Sequence, residues 1–139
     1  MAIKAFLRKY FPGLTEVRNN FYNNRAHERF RNKPIREVFA EIYKQNHWND
    51  AESKSGTGSN ITQTDEVKKV LAYVVRELHC KTILDIPYGD LNWMKDADLG
   101  NSTYIGADIV EEIIAANKIK FGDHRRDFIY ADLTTTPLP

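Results

Sequence analysis

The apolar positions of this chain follow helical spacing in its first part and short unbroken runs in its second. Ile3, Phe6, Leu7, Tyr10 and Phe11 form one stripe, Lys4, Arg8 and Lys9 lie off it, and Pro12-Gly13 stops the predicted helix. A second helical stretch runs from Ile35 to Trp48, with Ile35, Val38, Phe39 and Ile42 on one face, Tyr43 beside them, and Asn46-His47 ending it. A third runs from Thr62 to Leu78. Thr64 is expected to cap it, Glu66 stands in its first turn, and Val67, Val70, Leu71, Val74, Val75 and Leu78 are expected to form its buried face. The period then shortens. Ile83-Leu84-Asp85, Tyr104-Ile105-Gly106-Ala107-Asp108 and Phe128-Ile129-Tyr130-Ala131-Asp132 read as strands, each closing on an aspartate. Between the first two, the spacing predicts a turn, a helix carrying Trp93 and a return strand. After the second, Glu111 to Lys120 reads as a helix with Ile113, Ile114 and Asn117, stopped at Phe121-Gly122. Alternating strands and helices predict an α/β fold with a parallel sheet.

Three aspartates at strand ends imply a binding crevice, because ligands of open parallel sheets sit outside the carboxyl ends of the strands. A carboxylate there can accept from ribose hydroxyls, amines or exocyclic nitrogens. A dinucleotide fingerprint would add G-x-G-x-x-G after the first strand, with an acidic residue about 20 positions on. Asp108 supplies the acidic residue, but only Gly89 survives from the glycine set, with Pro87 and Leu91 at the neighbouring glycine positions. Close approach of backbone to a pyrophosphate is poorly provided for, and a ligand without phosphate is favoured.

Leu84-Asp85-Ile86-Pro87-Tyr88-Gly89-Asp90, followed by Asn92-Trp93-Met94, resembles the first motif of class I S-adenosylmethionine-dependent methyltransferases in a variant reading L-D-x-P-x-G-D. Tyr104 to Ile109 resembles their second motif, and Asp132-Leu133 their third. A bacterial subgroup also carries a tryptophan and an E-S-x-S-G-x-G-S loop before the sheet, matched here by Trp48 and Glu52 to Ser59. The resemblance implies a Rossmann-like class I methyltransferase fold of which this chain holds the first three strands. It implies S-adenosyl-L-methionine as cofactor and a small-molecule or sugar acceptor. The turn from Asp85 through Pro87 and Tyr88 to Gly89 would approach the methionine amino and carboxylate part, and Asp90 and Trp93 would also contact the cofactor. Asp108 would take both ribose hydroxyls and Ile109 would lie against adenine. Asp132 and the Leu133 amide would meet the adenine edge, while Trp48, Ser55, Gly56, Gly58 and Ser59 would fold over the cofactor as a lid. Asp90 has a second reading, as the cap of the helix containing Trp93. None of these roles is catalytic, and no catalytic residue is assigned.

The organisation expected is a basic amphipathic extension over 1–34, a helix and Ser/Gly-rich loop over 35–61, and the cofactor-binding sheet over 62–139. In the expected strand order the first strand is central, so without a fourth strand its Ile83, Leu84 and Ile86 line an open edge, which natural proteins normally cover. The chain is therefore expected to be the N-terminal part of a larger fold, or to complete its sheet as a homo-oligomer or on another chain. A fragment of this kind can be inactive alone.

Composition narrows the picture. Hydrophobic residues at 42% and aromatic residues at 12% exclude wholesale disorder. The lone Cys80 excludes an intrachain disulfide and suits a cytoplasmic setting, where a buried structural thiol is expected. No metal is expected, since His27 and His47 have no partner at ligand spacing. Net charge is +1, yet residues 1–36 carry +7 and residues 37–139 carry −6. The basic N-terminal stripe, residues 1–14, either docks on protein or makes peripheral membrane contact. Arg18, Arg25, Arg29, Arg31, Lys33 and Arg36 among aromatic residues raise nucleic acid as a partner, which is disfavoured because no nucleic-acid motif accompanies them. Two further functions stay open: a nicotinamide-dependent oxidoreductase or epimerase on the same sheet, and a non-catalytic cofactor-binding or assembly module.

Overall fold

The strands form where the three apolar runs lie, since unbroken β-branched and aromatic stretches suit a sheet covered by other elements. A computed structural model describes residues 29–135. The chain divides into two units, Met1–Pro34 and Ile35–Pro139. In the first, Arg29 and Lys33 stand over the Phe30 ring at 5.6 and 5.9 Å from its centroid. The stripe expected over residues 1–14, with Arg18 and Arg25, lies outside the described residues.

The second unit runs α1 (Ile35–Lys44), a 3-10 turn (Thr57–Ser59), α2 (Ile61–Glu77), β1 (Thr82–Asp85), a 3-10 turn (Met94–Asp96), β2 (Thr103–Asp108), α3 (Glu111–Phe121) and β3 (Arg126–Tyr130). The strands make one open sheet in the order β1-β2-β3, both pairs parallel. This is an α/β architecture. Register places Asp85 opposite Gly106 and Gly106 opposite Phe128. Pairing continues past the strand ends through Tyr88 N to Ala107 O (3.3 Å) and Ala131 N to Asp108 O (2.9 Å), so the segments after β1 and β3 leave the sheet beside the end of β2.

Three aromatic rings fill the core on the Gly106 face. Tyr88 and Tyr104 flank Phe128 at centroid distances of 5.2 and 6.0 Å, in tilted and edge-on arrangements favourable to aromatic pairs. Leu91, Met94, Ala97 and Leu99 join them from the β1–β2 connection, and Val110 and Ile113 from α3. Gly106 leaves the room: a methyl there would meet Phe128, Tyr88 and Tyr104 ring carbons at 2.9, 3.0 and 3.1 Å.

Several expectations are corrected. No α-helix follows β1; the connection is irregular, with one short 3-10 turn. Turn-forming Asp90, Asn92, Asp96, Asp98, Gly100 and Asn101 leave too short a run to propagate a helix, and Leu91, Met94, Ala97 and Leu99 bury themselves from that irregular chain. Thr64 does not cap α2. Asn60 precedes the helix, and the Thr64 hydroxyl donates back to Asn60 O at 3.0 Å from within the first turn. The expected buried face of α2 is mostly exposed: Val70 is 59% and Leu78 70% exposed, with Val67 and Val74 also open. Only Val75 is buried and Leu71 packs on the core, because among the described residues no strand lies beyond β1 for this face to cover. Cys80 is half-buried rather than buried.

Gly106→Ala should overpack the aromatic cluster. Urea unfolding is expected to show a loss of about 1 to 3 kcal/mol with unchanged slope; unaltered stability would mean the rings have slack.

Candidate functional site

A cleft of about 520 Å3 opens at the carboxyl ends of the strands, within the size range of small-molecule sites. Its floor is built on β2. Asp108 is 4% exposed, and its two oxygens accept from different turns: Oδ2 from Gly89 N after β1, Oδ1 from Val110 N at the start of α3, each at 3.0 Å. Each carboxylate oxygen has a second lone pair, so both can accept again from a ligand.

Two other aspartates reach the same cleft. Asp85 accepts from the Tyr104 hydroxyl at 2.8 Å; burial pushes its carboxyl above the usual range, the Tyr104 bond opposes that, and nearby Asp108 adds to it. A cationic amine placed there would favour the charged form of Asp85 and oppose that shift. Asp132 accepts from the Thr134 hydroxyl (2.6 Å) and amide (2.9 Å), which hold it below the usual range. It is therefore an ionised acceptor at neutral pH. The Tyr88 hydroxyl is buried beside Asn117 without completing a hydrogen bond of normal geometry, and burial raises its proton affinity. Asn117, buried on α3, reaches Gly89 O at 3.4 Å.

The loop before α2 is fastened to the turn after β1 by a second carboxylate. Asp90 accepts from the Ser53 hydroxyl (3.0 and 3.1 Å), the Lys54 amide (2.8 Å) and the Ser55 hydroxyl (3.1 Å), and its own amide donates to Ser55 Oγ at 2.9 Å. Glu52 Oε1 adds to the fastening by accepting from Asn92 Nδ2 (2.8 Å) and capping α2 at Ile61 N (2.6 Å). Asp50 orders the loop's start by accepting from the Glu52 and Ser53 amides. Gly89 and Leu91, on either side of Asp90, have φ of 63° and 60°. The left-handed conformation is costly for leucine and is held here by burial of its side chain, 2% exposed, and by the neighbouring Asp90 bonds.

Of the residues singled out from sequence, Trp48, Ser55, Ser59, Asp85, Pro87, Tyr88, Gly89, Trp93, Asp108, Ile109, Asp132 and Leu133 line the cleft. Asp90, Gly56 and Gly58 do not. Asp90 caps no α-helix and works on the loop instead. Gly56, with φ of 97°, serves the Trp48 ring, whose Cγ a methyl would meet at 3.2 Å; Gly58 has open space around it. Gly89 makes room for Ser55 Oγ, which a methyl would meet at 2.2 Å, so that glycine serves the fastening. Sequence reasoning missed Lys54 and the α1 contribution. Ile35, Phe39 and Ile42 form one wall, a stripe whose sequence shows helical spacing and no sign of a site. Arg36 pairs with Glu111 at 2.8 Å on the surface. Among the described residues, no group of three or more His, Cys, Asp or Glu could hold a metal ion, and no helix is long and apolar enough to cross a membrane. Comparisons with protein-family profiles, curated proteins and solved structures find no match.

Asp90→Ala should release the loop. Amide hydrogen exchange at Lys54 and Asn92, whose amides donate to Asp90 at 2.8 and 3.3 Å, is expected to accelerate, with a stability loss of about 1 to 3 kcal/mol for the charged acceptor removed; unchanged protection at both amides would show that the loop is held by something else.

Proposed function

We propose that the cleft binds S-adenosyl-L-methionine and that the protein is a class I methyltransferase acting on a small-molecule or sugar acceptor. The observation that carries this reading is Asp108. It is a buried carboxylate at the end of the second parallel strand, anchored by two backbone amides and open to the cleft, the chemistry that suits a pair of ribose hydroxyls. Asp132 and Leu133 stand at the end of β3 to meet the adenine edge, and Ile109 and Ile113 offer an apolar surface. Asp85, with its raised proton affinity, suits the methionine amino group. The strand order agrees with the one the sequence resemblance implies.

The cofactor's sulfonium supplies the activated methyl group, so the demand on the protein is binding and in-line placement of an acceptor. The chain's residues meet the first part of that demand. They orient the ribose through Asp108 and enclose the site with the loop that Asp90 fastens. The acceptor class follows from the family likeness alone, and no base is assigned. A nicotinamide dinucleotide is disfavoured by the connection after β1, which begins no α-helix whose N-terminal amides could hold a pyrophosphate.

Calorimetric titration with S-adenosylmethionine, S-adenosylhomocysteine and NAD tests this. The two adenosyl compounds are expected to bind and NAD to bind at least roughly tenfold more weakly. Removing both ribose hydroxyls from S-adenosylhomocysteine should cost about 1 to 3 kcal/mol. Editing the ligand avoids stranding the Gly89 and Val110 amides, as loss of Asp108 would. Preference for NAD would favour the oxidoreductase reading, and no binding by the folded chain would favour an assembly role.

A further inference from the structure

The charges around the cleft are unequal. Three carboxylates, Asp85, Asp108 and Asp132, face one cation, Lys54. That lysine is held at both ends. Its amide donates to Asp90 at 2.8 Å, with the flanking Ser53 and Ser55 hydroxyls on the same carboxylate. Its ammonium stands 4.8 Å from the centroid of the Tyr43 ring, a cation–π contact that limits the freedom of an otherwise flexible side chain. Lys54 enters no ion pair among the described residues. Among the described residues that line the cleft, this pre-positioned ammonium is the one opposite charge an anionic group of a ligand can meet.

We propose that Lys54 recognises the carboxylate of the ligand's amino-acid end, so that the site selects adenosyl compounds bearing that anion over those lacking it. The inference rests on reading the cleft as a site for S-adenosylmethionine and deepens that reading. The two ends of the ligand are then told apart by charge. Asp85 ends β1, suited to the amino group, and Lys54 stands on the loop fastened to the turn that follows, suited to the carboxylate. Ser55, next to Lys54, lines the cleft against Gly89, which ties the lysine's backbone to the turn after β1.

The test compares S-adenosylmethionine with its decarboxylated form, which differs only by the loss of the carboxylate, on the full chain by calorimetry. The wild type is expected to prefer the carboxylate-bearing compound roughly tenfold, the size of one charge-assisted contact at a partly solvated position. Lys54→Met should abolish the preference by weakening that compound alone, and Lys54→Arg should restore it. The Lys54 side chain is exposed and its amide bond to Asp90 survives any of these substitutions, so folding is not at stake. Equal binding of the two compounds by the wild type, or a preference that persists in Lys54→Met, would overturn the role of Lys54 while leaving the adenosyl site standing. Binding of neither compound would overturn the site itself and the inference with it.

Discussion

Asp108 is the bond on which the cleft depends. Its carboxylate is taken out of water at the end of β2, which is costly unless hydrogen bonds replace the lost hydration. Two backbone amides do so, one from the turn after β1 and one from the start of α3. The same pair of bonds draws those two turns to a common point. The ladder bonds that extend β2 on either side, through Tyr88 and Ala131, place the remaining walls. A single side chain thus converts strand order into a concave surface and leaves its outward lone pairs for a ligand.

Asp90 performs a similar task over a longer reach. It gathers hydroxyl and amide donors from Ser53, Lys54 and Ser55, residues 35 to 37 positions earlier in the chain. The cost of closing so long a loop grows slowly with length, whereas a set of bonds to one charged acceptor is gained together. The loop is therefore ordered against the β1 turn without an apolar core of its own, and Gly89 and Leu91 hold left-handed backbone beside it. Lys54 inherits its position from this fastening.

Much of the architecture was legible in the sequence, for a simple reason. The three strands lie on short apolar runs bounded by polar turns; β1 and β2 end on an aspartate that lines the cleft, and a third, Asp132, follows two residues after β3. α3 was legible because Ile113 and Asn117 share a face that is buried. The missing helix after β1 was not, since Leu91 and Met94 have helical spacing yet bury themselves from a turn. The exposed face of α2 was misread because periodicity reveals an apolar stripe but not whether a neighbour covers it. Asp90 looked like a ligand contact or a cap because its partners lie far away in sequence. Lys54, inside a Ser/Gly-rich stretch, carried no signal beyond its charge.

The central claim is that an adenosyl ligand engages Asp108 between the β1 turn and α3. Backbone amide chemical shifts of the folded chain, recorded by nuclear magnetic resonance with and without S-adenosylhomocysteine, address it most directly. New bonds to the Asp108 oxygens must weaken the ones already there, so the Gly89 and Val110 amides are expected to shift together, with Leu133 at the far side of the cleft. Saturable binding that leaves the Gly89 and Val110 resonances in place would contradict the account.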